Sequence, residues 1–127
     1  MFQILSGFPD DVLAISAKGK ISPADYEKVL IPVVDERIRR HKPLKLFFHM
    51  GPDFEGMELG AMVKDARLGI GHWRDWGAIA VVTDAGPWRD VIGFFGLMFH
   101  QPVRLFFEAD YDKAKAWITE SQPAEAA

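Results

Sequence analysis

The chain of 127 residues has no cysteine. Disulfides, thiolate metal centres and a cysteine nucleophile are thereby excluded. It also lacks an excess of positive charge: 15 Lys and Arg stand against 18 Asp and Glu, a formal net charge of -3. Nucleic acid ordinarily selects a basic face, so no nucleic-acid partner is expected. No run reaches the roughly 18 uninterrupted apolar residues of a membrane-spanning helix. The opening MFQILSGFPDD lacks the basic start and long apolar stretch of a signal peptide. The expected compartment is the cytoplasm. Catalytic signatures are missing too: there is no G-x-S-x-G, no P-loop, and no G-x-G-x-x-G after a strand. Gly69-Ile70-Gly71 falls late in a helical pattern, where it cannot cradle a phosphate. No nucleophile is paired with a base. The expectation is a non-enzymatic protein without a cofactor.

What is present is a globular composition, 49% hydrophobic and 26% charged, of a size for one domain with one core. No repeat or Gly/Ser linker divides it, so residues 1–120 read as a single domain. Residues 121–127, SQPAEAA, have the composition of a disordered tail. FQIL (2–5) and VLAISAKG (12–19) read as two strands joined by the turn-rich SGFPDD. Ser22-Pro23-Ala24-Asp25 opens a helix, with serine as N-cap, proline at the first helical position and a carboxylate three residues after the cap. Pro32 should kink that helix, since its ring removes an internal hydrogen bond. LKLFFHM (44–50) is a third strand, and the acidic, glycine-containing loop GPDFEGME (51–58) leads to a second helix. GAIAVVTD (77–84) and VRLFFEA (103–109) are the fourth and fifth strands, separated by a third helix. DYDKAKAWITE (110–120) closes the domain as a fourth. Strands separated by helices imply right-handed crossovers and a mostly parallel sheet, with one antiparallel partner from the N-terminal hairpin.

The third helix carries the least ordinary stretch, PWRDVIGFFGLMFHQP (87–102), with nine uncharged residues in a row. At about 100° per residue, Trp88, Ile92, Phe95 and Phe99 form one stripe, flanked by Val91 and Met98. Phe94 and Leu97 fall outside it, beside Asp90 and Gln101. The apolar arc is roughly 220°, about twice what a helix covering a sheet requires. Three readings stand: a buried core helix, a homodimer contact, or a site for a lipid, a fatty acid or a membrane surface. The second helix strengthens the last, because Gly60, Gly69 and Gly71 loosen it and it ends in HWRDW. Tryptophans beside arginine suit a membrane–water boundary.

The stretches GFPDDVLAISAKGKISPADY (7–26), KLFFHM (45–50), VVTD (81–84), WRD (88–90) and HQPVRLFF (100–107) resemble the SpoIIAA-like family of small stand-alone bacterial proteins. Its wider fold is the STAS domain of sulfate-transporter tails and anti-sigma-factor antagonists. The resemblance covers residues 1 to about 120. It implies a STAS-like α/β fold: a five-stranded, mostly parallel sheet with an antiparallel N-terminal hairpin strand and four helices. In the antagonists a phosphorylatable serine opens the helix after the third strand. Here that segment, residues 51–58, contains no serine or threonine, so a phosphorylation switch does not follow. STAS-like folds are also similar in outline to lipid-carrying CRAL-TRIO domains, an analogy of fold only.

Four histidines invite a metal search. His49 ends the third strand with Asp53 and Glu55 following, but H-x3-D-x-E matches no metal box, and no metal is expected. A structural histidine bonded to loop backbone is the simpler reading. Asp84, at the end of the fourth strand, reads as a loop acceptor or N-cap near Arg89 and Asp90. The leading expectation is a binding protein for an apolar small molecule or a membrane surface. Its candidate residues are Met62, Trp73, Trp76, Phe94, Leu97 and Met98, with peripheral attachment at the inner membrane face. The competing expectation is a STAS-type interaction module, binding itself or a regulatory protein through the same surface or through the loop residues Asp53, Phe54, Glu55 and Glu58.

Overall fold

The computed structural model describes residues 1–41, 43–58, 60–61, 63–64, 67, 75–96 and 102–120, without the side chains of residues 91 and 94–96. Five strands form one sheet in chain order: β1 (Phe2–Ile4), β2 (Val12–Ile21), β3 (Leu44–Met57), β4 (Trp76–Thr83) and β5 (Val103–Phe106). β1 runs antiparallel to β2, and every other neighbour pair is parallel. This is the mixed sheet expected from the sequence.

Right-handed crossovers between strands laid down in consecutive order must all pass over the same face. The two cores show that division. On one face, Leu13, Ile15, Phe48 and Val81 meet Tyr26, Leu30, Val34 and Ile38 of the first helix, together with Ala61, Trp88 and Ile92. On the other, Val12, Ala14, Phe47, Ala78, Ala80 and Val82 meet the last helix, α4 (Tyr111–Glu120), through Ala114, Trp117 and Ile118, together with Leu5 and Phe8 of the β1–β2 connection. Small side chains at 14, 78 and 80 let that single helix lie close to the sheet. Lys45 is buried beside it, its Nζ 3.5 Å from an Asp11 carboxylate oxygen and donating to the Thr119 carbonyl at 3.3 Å. Of the four expected helices, three are described as elements. Gly60, Ala61, Val63, Lys64 and Arg67 of the second are described, and all are helical.

The first helix is composite: α1 (Pro23–Asp25), a π-helical segment Tyr26–Leu30, and α2 (Ile31–Arg40). The Ile31 N–H bonds to the Tyr26 carbonyl, five residues back. Pro32 has no N–H to donate to residue 28, and the wider turn just before it absorbs the missing bond. The expected break at Pro32 is thus a π-helical segment one residue upstream. The N-terminus matches its sequence signature. The Ser22 Oγ accepts from the Asp25 N–H at 3.2 Å, and an Asp25 carboxylate oxygen accepts from the Ser22 N–H at 2.8 Å. Partial burial works against ionisation of Asp25, but the Ser22 backbone and hydroxyl hydrogen bonds and the N-terminal ammonium 3.4 Å away outweigh it. They hold its carboxyl below the ordinary range.

The largest departure from expectation is in β3. Residues 51–57 are not a loop but a seven-residue extension of the strand, with Gly19, Lys20 and Ile21 paired to Phe54, Gly56 and Met57. Two register shifts accommodate the extra residues, and Gly19 and Gly56 take φ of 65° and 112° there. Only glycine adopts such backbone freely, so the composition that reads as a loop instead builds bulges.

Replacing Ser22 with alanine should cost about 1 kcal/mol in urea unfolding at pH 7. Because Asp25 is more acidic folded than unfolded, its contribution is present above the unfolded carboxyl pKa. It is lost as pH falls through the folded value. The stability gap between wild type and Asp25→Asn should therefore close between pH 5 and about pH 2; a gap independent of pH would contradict it.

Candidate functional site

Two regions of the fold concentrate unusual chemistry. One lies at the carboxyl ends of the parallel strands, where ligands of open α/β sheets gather. There the His49 Nε2 and a Glu108 carboxylate oxygen are 2.5 Å apart, joining the end of β3's regular ladder to the turn after β5. The His49 ring meets Tyr111 edge-on, with centroids 5.0 Å apart. Burial, then the charges of Asp112 and Glu108, push the Tyr111 phenol up. Asp84 accepts from the Glu108 N–H at 2.9 Å, the loop-acceptor role expected of it. Arg89, in the first turn of α3 (Gly86–Gly96), donates to the Thr83 and Phe106 carbonyls at 2.8 and 2.9 Å. Its guanidinium lies 3.9 Å from the centroid of Phe107, which is 53% exposed. A Cβ on residue 51 would stand 2.9 Å from His49 Cε1 and 3.1 Å from the Glu108 oxygen, so Gly51 leaves room for the pair.

His49 therefore bonds a side chain 59 residues away rather than loop backbone. Glu108, Phe107 and Tyr111 were missed in the sequence, although FFEADY immediately follows the last parallel strand. That position alone could have flagged Glu108. His49, Asp84, Arg89 and Glu108 are committed to one another and to backbone, which makes the cluster a clasp on the β5–α4 turn. Among the described residues no three His, Asp or Glu side chains gather as a metal site.

The second region is the helix-covered face near the start of β4. Leu44 pairs with Trp76 but Leu46 pairs with Ile79, so β4 carries one extra residue. By strict alternation Trp76 would share the face of Ala78 and Ala80. The bulge turns it to the other side, into the core with Leu44, Ile38 and Ile79. Trp76 is 3% exposed, and among the described residues its Nε1 is a buried donor without an acceptor. Such an orphaned N–H costs about 1–3 kcal/mol, and native proteins rarely leave one unexplained.

Trp76 is thus an interior residue and not part of an exposed rim. Met62, Trp73, Leu97 and Met98 lie outside the described residues, as does the Phe94 side chain. With Trp88 and Ile92 of α3 turned into the core, position 94 falls about 40° around the helix from Asp90, which is exposed. Val63, on the second helix, is 47% exposed. Of the residues expected in a partner loop, Asp53 and Glu55 are exposed on the extended β3, and Glu58 is exposed just beyond it. Phe54 packs edge-on against Trp88, with centroids 5.6 Å apart. Since Asp53 and Glu55 occupy a strand, they do not open a helix as the antagonist serine does.

The SpoIIAA-like family model matches residues 12–119. The chain belongs to the SpoIIAA-like family. A similar solved structure is an uncharacterized protein of the DUF3478 family with a SpoIIAA-like fold, from Shewanella loihica PV-4. It is 20% identical with a TM-score of 0.76, over 92% of this chain and 93% of that one. No curated protein matches. The SpoIIAA-like fold suggests a STAS-type regulatory or binding module, a kind of domain that is typically non-enzymatic. Among the described residues no helix is long and apolar enough to cross a membrane.

Arg89→Met should remove two charge-assisted bonds to strand-end carbonyls and destabilise the SpoIIAA-like domain by about 2–3 kcal/mol. Urea denaturation measures it. An unchanged midpoint would mean that the clasp contributes nothing.

Proposed function

We propose that this SpoIIAA-like protein reversibly binds an apolar small molecule, of the lipid or fatty-acid class, or a membrane surface through its second and third helices. The observation that carries this reading is the orientation of α3. Trp88 and Ile92 already supply its core contact, yet the helix continues apolar at position 94, on the side of exposed Asp90. A helix whose only task is to cover a sheet has no use for phenylalanine there. Continuous with it in sequence are Leu97 and Met98. Exposed Val63 adds apolar area on the second helix. The binding mode is peripheral, by burial of one helix face at the interface.

The second reading is a regulatory protein–protein module, which family membership favours. It would use the exposed carboxylates of Asp53 and Glu55 or the same apolar face in a homodimer.

Flotation with liposomes separates the two. Wild-type protein should float, whereas Phe94→Asp combined with Leu97→Asp should stay at the bottom with an unchanged far-UV spectrum. Undiminished flotation of the double variant would sink the membrane reading. A native mass spectrum of the purified protein addresses the rest. Extra mass lost on denaturation indicates a captured ligand, and a ligand-free dimer indicates the interaction module.

A further inference from the structure

Resting on the small-molecule reading above, we propose that the Trp76 indole N–H is the polar anchor of the bound molecule. The ligand class then narrows to amphiphiles carrying a neutral oxygen acceptor, an ester or a long-chain alcohol, in preference to an ionised fatty acid. Trp76 is almost wholly buried, and a bulge has turned it into the helix-side core at the very start of β4. Among the described residues its Nε1 has no partner. A buried tryptophan ordinarily finds an acceptor for that group, and where the fold supplies none, a ligand oxygen or a water must. A water needs two to four polar partners to be held, and the described side chains of the core cluster that holds Trp76 are apolar but for the Tyr26 hydroxyl, which donates to Met57 Sδ. An ester or hydroxyl oxygen attached to an alkyl chain needs only the indole donor, and its chain suits the apolar surroundings.

The charge of the ligand follows from what is missing among the described residues. An ionised carboxylate moved into apolar surroundings needs a cation or several donors. Lys45 is the one buried cation among the described residues, and it is committed on the opposite face to Asp11 and the Thr119 carbonyl. Asp75, adjacent to Trp76 in the chain, carries charge of the wrong sign to hold a carboxylate. A neutral acceptor carries no such penalty.

The test uses methyl decanoate, sodium decanoate and decane with the whole chain, 15N-labelled in its tryptophans. Methyl decanoate should move the Trp76 Nε1–H resonance downfield and bind more tightly than decanoate. Trp76→Phe keeps an aromatic ring of related shape and removes the donor. It should weaken methyl decanoate binding roughly fivefold to tenfold while leaving decane within twofold, as expected for one neutral hydrogen bond. If wild type binds methyl decanoate but the indole resonance stays in place, or Trp76→Phe binds it equally well, the anchor is overturned and the small-molecule reading stands. Preference for decanoate would overturn the neutral-oxygen class. Uptake of none of the three would overturn the small-molecule reading, and the anchor with it. The wild-type resonance decides the question even if the variant does not fold.

Discussion

The order in which the strands are laid down governs the rest of this molecule. β2, β3, β4 and β5 are parallel and occupy the sheet in chain order, so each right-handed crossover passes over the same side. Among the described residues the first helix, Ala61 of the second and α3 lie over one face, and α4 lies over the other. The two faces are correspondingly different in composition. Beneath α4 the sheet carries Ala14, Ala78 and Ala80, which allow one helix to approach closely. Beneath the other three it carries Ile15, Phe48 and Val81, which fill a deeper layer together with Tyr26, Val34 and Trp88.

That asymmetry places the two chemically distinct regions at opposite ends of the strands. At the carboxyl ends, Arg89, Asp84, His49 and Glu108 satisfy one another and the last carbonyls of β4 and β5. The cluster has the location of an α/β ligand site, but its groups are engaged in holding the turn into α4. At the opposite end, the bulge in β4 turns Trp76 into the helix-side core, where its N–H has no partner among the described residues. Polar satisfaction at one end and its absence at the other are the strongest physical contrast in the fold.

Family membership agrees with this picture in kind. A SpoIIAA-like domain without serine or threonine between residues 51 and 58 has no hydroxyl for a switch there, and the extended β3 moves its acids into a strand. What remains is a STAS-type regulatory or binding module. Its third helix continues hydrophobic beyond the face that Trp88 and Ile92 already bury.

The local elements were legible in the sequence because local rules decide them. Ser22 and Asp25 specify a helix start whatever surrounds it, and the runs at 12–19, 44–50 and 77–84 alternate with helical spacing closely enough to imply a parallel sheet. The family resemblance rested on those same stretches. Other features required partners distant in the chain. Gly51 through Met57 became strand because β2 lay alongside with two glycines to absorb the register shifts, and no short window records a neighbour's register. His49 found Glu108, 59 residues on, because both stand at the carboxyl edge of adjoining parts of one sheet. Trp76 was expected among the residues binding an apolar molecule or a membrane surface. One extra residue in β4 reversed its face and buried it, because side chains alternate along a strand and a single bulge inverts the alternation.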